Sequence, residues 1–172
     1  MQRIMLVDDH VLFRKGLSGL LSGHPGFVIV GEANNGQEAC EMVGKVHPDL
    51  ILMDVNMPVM NGIESTRQIH ADFPDIPIVM LTVSDRDDNL FEAIKNGAQG
   101  YLLKDLDPDE LFHYIEGIFR GEAPITGILA KRILQEFARS GNGTPSRRPL
   151  PNSDHLAGEP MGWDEGLTER ER

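Results

Sequence analysis

The sequence predicts an α/β fold, a doubly wound five-stranded parallel sheet with helices on both faces, followed by an extra helix and a linker. Short apolar runs alternate with amphipathic segments from residue 1 to about residue 138. The runs are continuously apolar, as strands covered on both faces are. Strands that alternate with helices of this length are joined by right-handed crossovers and pair in parallel. Such a sheet places its functional site at the carboxyl ends of the strands.

The first two strand–helix units are indicated by an apolar run followed by a helical pattern. Ile4–Val7 is wholly apolar and Phe27–Val30 is rich in β-branched residues, so each is predicted to be a strand. Val11–Leu21 repeats its apolar residues at helical spacing, and Gln37–Val46 has a helical pattern as well.

The third and fourth units follow the same rhythm. Leu50–Met53 and Ile78–Leu81 are the next apolar runs. Asn61 is a good N-cap for a helix near Gly62–Phe73. Asn89–Lys95 carries apolar residues on one face and is predicted to be the fourth helix.

The last strand is predicted at Tyr101–Leu103. Asp107 followed by Pro108 is a typical helix start, because the acid caps the first turn and proline suits the first helical position. Apolar residues repeat at helical spacing again in Ile125–Phe137, which predicts an extra helix beyond the five units.

Composition excludes several classes of function. The net charge is -11, the pI is about 4.9, and no cluster of Lys and Arg is present, so this chain alone is not expected to bind nucleic acid. A single cysteine, Cys40, excludes an internal disulfide and suits a reducing cytoplasm. No apolar run approaches the length of a membrane span or a signal peptide. We therefore expect a cytoplasmic protein with no membrane partner.

The sequence divides into four parts at residues 1–122, 123–138, 139–166 and 167–172. The first is the α/β domain and the second is the extra helix. The third is rich in Pro and Gly and poor in large apolar groups, which predicts a flexible linker. In the fourth, Thr168 and Glu171 have the spacing of a capping box, so a helix is expected to begin there.

Polar side chains follow four of the predicted strands. Asp8 and Asp9 follow the first strand, Asp54 the third, Thr82 the fourth and Lys104 the fifth. Carboxylates crowded at neighbouring strand ends repel one another and destabilise the fold unless a cation compensates. Mg²⁺ prefers oxygen ligands and commonly binds one or two carboxylates together with a phosphate oxygen. The residues therefore indicate a magnesium-dependent phosphoryl acceptor.

The residue types suggest a role for each side chain. A carboxylate can attack phosphorus to form an aspartyl phosphate, and Asp54 is central among the strand ends. Lys104 is expected to neutralise one phosphoryl oxygen as a compact charge, and Thr82 offers a hydroxyl to another. The expected metal ligands are the carboxylates of Asp9 and Asp54, that of Asp8 directly or through water, and the backbone carbonyl of Asn56.

Four stretches in this order and spacing resemble the signature of response-regulator receiver domains: LVDDH, DVNMPVMNGIE, LTVSD and GAQGYLLKD. The similarity covers Arg3 to about Arg120 and is greatest to the subfamily of NarL and FixJ, whose output domain is a LuxR-type helix-turn-helix. The resemblance implies a flavodoxin-like strand order, 2-1-3-4-5. It also implies that residues 167–172 open an output domain of that type, cut off just inside, and that DNA is bound only through that missing domain.

The resemblance also implies partners and a switch. A sensor histidine kinase is expected to donate a phosphoryl group from phosphohistidine to Asp54, and phosphorylation is expected to favour a homodimer. The acyl phosphate is expected to draw the Thr82 hydroxyl inward, after which Tyr101 rotates to a more buried position. Phosphorylation then shifts an equilibrium that already exists between two conformations.

Two positions depart from the common receiver pattern. Val83 stands where many receivers have Ala or Gly, and a β-branched side chain there is expected to narrow access to the phosphoryl group and slow self-dephosphorylation. Asp105 follows Lys104 where many receivers have proline after a cis bond. A cis bond before a residue other than proline costs about 3 kcal/mol, so we expect this bond to be trans.

Two other functions compete with this interpretation. Phosphatases of the haloacid dehalogenase type also form an aspartyl phosphate, but they need an acid two residues after the nucleophile. Asn56 occupies that position and cannot serve as the acid. The second alternative is a receiver that is never phosphorylated and only binds partner proteins. That alternative usually accompanies loss of an acidic position or of the lysine, and this chain keeps them all.

Overall fold

The five apolar runs form the strands of one parallel sheet. The computed structural model describes residues 1–84 and 89–141. Over these residues the strands are β1 (Gln2–Val7), β2 (Phe27–Ala33), β3 (Leu50–Asp54), β4 (Ile78–Thr82) and β5 (Gly100–Leu103). Their order is β2-β1-β3-β4-β5, and every pairing is parallel. The predicted doubly wound sheet and its strand order are confirmed.

The helices of the described residues lie on both faces of this sheet. They are α1 (Val11–Ser22), α2 (Gly36–Val46), α3 (Gly62–Asp72), α4 (Asn89–Lys95), α5 (Pro108–Phe119) and α6 (Gly127–Ser140). The Asn61 side chain accepts a hydrogen bond from the backbone N–H of Glu64, and the Asp107 side chain accepts one from Asp109. Both predicted caps are therefore confirmed, and each satisfies an N–H that the first helical turn leaves unpaired.

Successive residues of the strands bury their side chains on opposite faces, which gives two apolar cores. Met5, Met53 and Met80 lie in the core on one face, and Leu6 and Leu52 lie in the core on the other. Every residue of β3 is buried, as expected for the central strand of a sheet covered on both sides. Full burial of one such side chain contributes about 1.5–3 kcal/mol, so the two cores hold the strand ends in fixed positions.

The extra helix packs back onto the domain. The backbone N–H of Tyr101 on β5 donates to the Pro124 carbonyl over 2.9 Å, and Tyr101 forms a parallel bridge with Ile125. Leu129 of α6 is fully buried, and the Phe91 ring of α4 meets the Phe137 ring edge-on at 5.5 Å. The helix begins at Gly127 rather than at the predicted Ile125, because residue 125 pairs with the edge of β5.

Several predictions fall outside the described residues. The predicted linker at 139–166 lies outside them from residue 142 onward, and α6 continues to Ser140. The predicted start of an output domain at 167–172 lies outside them completely. Among the described residues, none of the helices has the length and apolar character that crossing a membrane requires.

Gly62, the first residue of α3, packs directly behind the end of β3. A Cβ at this position would overlap the backbone carbonyl oxygen of Asp54 and lie 2.9 Å from the Met80 side chain. Gly62→Ala is therefore expected to lower the free energy of unfolding by about 1–3 kcal/mol, the usual cost of overpacking. Gly16→Ala in α1 is the matched control, because a Cβ at Gly16 meets nothing within 4 Å. Urea denaturation of both variants measures the effect, and equal stability of the two would contradict the prediction.

Candidate metal and phosphoryl-acceptor site

The structure brings the predicted polar residues together at the carboxyl edge of the sheet. Asp8 and Asp9 follow β1, Asp54 ends β3, Thr82 ends β4 and Lys104 follows β5. Asp8, Asp54 and Thr82 are 2%, 5% and 2% exposed, although each is polar. Buried polar groups are tolerated only where hydrogen bonds or opposite charges compensate, so the Asp8 and Asp54 carboxylates require a partner within the site.

Lys104 supplies the cation of this group. Its Nζ lies 2.6 Å from Asp8 Oδ2 and 3.2 Å from Asp54 Oδ1, and the Lys104 side chain is only 7% exposed. The ammonium also sits 4.6 Å from the centre of the Phe13 ring on α1, a cation–π contact. One lysine thus bridges carboxylates from two strands, and it stays positioned beside Asp54.

The surroundings of Asp54 raise its pKa to about 6. Burial is the largest cause, because it disfavours the charged carboxylate. Lys104 acts against burial and lowers the pKa, whereas the negative charges of Asp8 and Asp9 raise it again. Without a further cation, the site therefore resists carrying all its negative charges at once.

The donor atoms fit a hard divalent cation. Ligand atoms of Asp8, Asp9, His10 and Asp54 all lie within 4.8 Å of one another. Both Asp8 carboxylate oxygens already have partners, the Lys104 ammonium and the His10 backbone N–H at 2.8 Å. Asp9 Oδ1 is buried and accepts no hydrogen bond from the described residues, although His10 Nδ1 lies 3.4 Å away. A buried carboxylate oxygen without a hydrogen bond is costly, and a cation would satisfy it.

The remaining predicted residues surround this group. Thr82 Oγ1 lies 3.3 Å from both the backbone N and the backbone O of Ser84. Tyr101 is 0% exposed, so its ring already occupies a buried position, and the more exposed starting position expected for the switch is not the one observed. Val83 is 77% exposed and lines a pocket with His10 and Lys104. Asn56 lies in the exposed loop after β3. Its proposed carbonyl contact to the metal stays a prediction.

The Lys104–Asp105 peptide bond is trans, as predicted, and no cis bond occurs in the described residues.

Sequence reasoning missed three contributors to the site. Phe13 lies beneath the Lys104 ammonium, and the exposed His10 ring borders the carboxylates. Arg14 is only 6% exposed, and its guanidinium donates to the backbone carbonyl of Asp8. One signal was available for Arg14: it shares the helical spacing of the buried residues Leu17 and Leu21, a position where a charge is unusual.

Comparisons with known proteins agree with this geometry. The family described as the response regulator receiver domain matches residues 4–116, more than half of the chain. The transcriptional regulatory protein DegU of Brevibacillus brevis is 37% identical over 140 residues, which are 81% of this chain and 59% of that protein. The nitrate/nitrite response regulator protein NarL of Escherichia coli K12 is 37% identical over 144 residues, 84% of this chain and 66% of that protein.

Solved structures give the same result. A two-component response regulator of the LuxR family from Aurantimonas sp. SI85-9A1 matches with a TM-score of 0.74 at 35% identity, over 80% of this chain and 99% of that one. This chain spans roughly three fifths to two thirds of the curated relatives' length. The family match, the relatives and the shared fold agree: the chain belongs to the receiver domains of two-component response regulators of the NarL/LuxR type.

Proposed function

We propose that Asp54 accepts a phosphoryl group from the phosphohistidine of a sensor histidine kinase in a Mg²⁺-dependent reaction. One observation carries the proposal: a buried carboxylate lies 3.2 Å from a lysine ammonium and beside a buried Asp9 oxygen that lacks a hydrogen bond. That combination provides a nucleophile, a fixed positive charge and a place for a metal ion. Family membership supports the same role.

In the proposed transfer an Asp54 oxygen forms a bond to phosphorus while the phosphorus–nitrogen bond to the kinase histidine breaks. The bonding electrons stay on the imidazole nitrogen, which takes a proton from solvent to give neutral histidine. Lys104 neutralises one oxygen of the transferred group, and the Thr82 hydroxyl donates to another. Mg²⁺ would be held by Asp9 and Asp54, by Asp8 directly or through water, and by the Asn56 carbonyl. There it would neutralise charge that develops on the phosphoryl oxygens.

The attacking group must be the carboxylate and not the protonated acid. Because the metal-free pKa of Asp54 is about 6, part of the population is protonated below neutral pH and cannot attack. A bound cation favours the ionised form and lowers this pKa. Phosphorylation at limiting Mg²⁺ is therefore expected to slow as the pH falls through 6, whereas saturating Mg²⁺ moves that loss to lower pH.

The consequence of phosphorylation is proposed to be a switch in conformation. The acyl phosphate draws the Thr82 hydroxyl inward, which favours the buried position of the Tyr101 ring. The surface formed by α4, β5 and α5 changes shape as a result. The proposed outcome is a homodimer that activates a DNA-binding output domain outside the described residues. The relatives' names, as transcriptional regulators, support regulation of transcription as the role of the whole protein.

Intact mass spectrometry tests the acceptor. The protein is incubated with acetyl phosphate in the presence of Mg²⁺ and, in parallel, of EDTA. One phosphoryl group is expected with Mg²⁺ and none with EDTA. Borohydride reduction, which converts an aspartyl phosphate to homoserine, should locate the group at residue 54. No gain in mass, with Mg²⁺ binding shown by calorimetry, would favour a receiver that binds partners without being phosphorylated.

Val83 provides a separate prediction about the lifetime of the acyl phosphate. Its exposed side chain directly follows Thr82 and lines a pocket with His10 and Lys104, which we propose as the path of an attacking water. Val83→Ala is expected to shorten the half-life of the phosphorylated protein because the smaller side chain opens this path. The decay of the mass signal after removal of acetyl phosphate measures it. An unchanged half-life would show that Val83 does not limit the access of water.

A further inference from the structure

Arg14 of α1 connects the loop that carries the acidic residues to the edge of the sheet. Its guanidinium donates through one Nη to the backbone carbonyl of Asp8, and its Nε lies 3.1 Å from Glu32 Oε2 on β2. Glu32 also accepts from Ser18 Oγ over 3.0 Å and pairs with the exposed Lys15 at 3.0 Å. Arg14 therefore joins α1, β2 and the residue that begins the acidic loop.

A buried guanidinium needs a compensating partner, because it stays charged and burial of an unpaired charge is costly. Glu32 supplies the opposite charge. Burial would raise the pKa of Glu32, but the hydrogen bonds from Lys15, Ser18 and Arg14 together lower it, so this residue remains a carboxylate. The charge of Arg14 is thus compensated by Glu32 on β2, and the guanidinium contacts Asp8 at its main-chain carbonyl.

The direction of the contact distinguishes Arg14 from Lys104. Lys104 binds the carboxylates themselves, at the place where a metal ion would compete with it. Arg14 instead donates a hydrogen bond to the main chain, at the carbonyl of Asp8, one residue before Asp9. A planar guanidinium can donate to this carbonyl and to Glu32 at the same time in a fixed geometry.

We infer that Arg14 is a positioning residue for the metal site. Because Glu32 holds the guanidinium and the guanidinium donates to the Asp8 carbonyl, Arg14 fixes the Asp8–Asp9 main chain so that the Asp9 carboxylate is preorganised for Mg²⁺. The inference rests on the proposed function, since it assigns Mg²⁺ to the acidic group. Groups that orient metal ligands through hydrogen bonds, without contacting the metal themselves, typically contribute about 10–100-fold to metal affinity.

The test compares Mg²⁺ affinity in three variants by isothermal titration calorimetry of the full chain. Arg14→Lys keeps the charge but not the two-pronged geometry, and it is expected to weaken Mg²⁺ binding by about 10-fold. Glu32→Gln, which loosens the support of Arg14, is expected to weaken it to a smaller extent. Lys45→Gln changes an exposed lysine of α2 outside the Arg14–Glu32 contact and is the matched control, with affinity expected to equal that of the wild type.

A second measurement separates positioning from a general loss of structure. The rate of phosphorylation by acetyl phosphate is followed against Mg²⁺ concentration. In Arg14→Lys the half-saturating concentration should rise by the same factor as the dissociation constant, while the rate at saturating Mg²⁺ stays near that of the wild type. A lower melting temperature with unchanged Mg²⁺ affinity would overturn the inference and leave Arg14 a purely structural contact.

The two proposals can fail separately. Wild-type protein that binds Mg²⁺ but gains no phosphoryl group would overturn the proposed function, while the affinities of the variants still decide the role of Arg14. Normal phosphorylation with equal affinities in Arg14→Lys and wild type would overturn only the inference. If Arg14→Lys does not fold, Glu32→Gln decides, and unchanged Mg²⁺ affinity in that variant counts against the inference.

Discussion

Asp54→Asn is expected to abolish phosphorylation and, at the same time, to stabilise the metal-free protein above pH 6. The folded-state pKa of Asp54 is about 6, well above the value near 4 of an unfolded chain. The folded state therefore binds more protons than the unfolded state between these values, and stability is lost as the pH rises through the folded-state pKa. At pH 8 the ionised Asp54 costs about 3 kcal/mol, since each of the two pKa units corresponds to about 1.4 kcal/mol, and neutral Asn does not incur this cost.

Urea denaturation in EDTA at pH 5 and pH 8 measures this effect. The wild type should lose stability between the two pH values relative to Asp54→Asn, and the variant should be the more stable protein at pH 8. Asp72→Asn, at an exposed position at the end of α3, is the matched control and should behave as the wild type does. Equal stability of wild type and Asp54→Asn at pH 8 would mean that the site tolerates the charge without a metal.

Lys104→Met is expected to have the opposite effect on stability and a large effect on rate. It leaves the buried Asp8 and Asp54 carboxylates without their ammonium partner. Breaking a buried ion pair from one side typically costs about 3–5 kcal/mol, and removal of one fixed donor to a reacting oxygen typically slows a reaction by about 10²–10³-fold. Both losses are expected here, because the ammonium that pairs with the carboxylates is also the group proposed to neutralise a phosphoryl oxygen.

The measurement combines urea denaturation with the rate of phosphorylation by acetyl phosphate. Mg²⁺ should restore part of the stability of Lys104→Met, since it supplies positive charge to the same carboxylates. Lys45→Met, on the exposed face of α2, is the control for loss of a lysine. A phosphorylation rate within a few-fold of the wild type would mean that Lys104 holds the carboxylates together but does not act on the phosphoryl group.

The sheet and the place of the site could be predicted because both depend on local pattern. Each strand is a short apolar run with a polar residue directly after it, and parallel pairing then brings the polar residues to one edge. Asp54 and Thr82 are clear examples, since each follows an apolar run and each is the last residue of its strand. The caps at Asn61 and Asp107 were predictable for the same reason, since a cap interacts with residues close in sequence.

Contacts between distant residues could not be predicted. Lys104 Nζ lies closer to Asp8 than to Asp54, although Lys104 and Asp8 are 96 positions apart in sequence. The helical spacing of Arg14 with Leu17 and Leu21 indicates a buried position, but its partner Glu32 on β2 could not be predicted, since only folding brings the two together. The amphipathic pattern of α6 predicts a helix with one apolar face, but many surfaces could accept that face.

The contact between Pro124 and β5 has a consequence for how the protein can be shortened. An unpaired outer strand invites association with other chains. The Pro124 carbonyl and the Ile125 bridge complete the outer side of β5 at Tyr101, and Leu129 fills the core beside it. A protein that ends near residue 122 would expose that strand and lose a buried leucine, so it should aggregate more readily than one that ends after Ser140. We therefore expect the shortest form of this domain that resists aggregation to include α6.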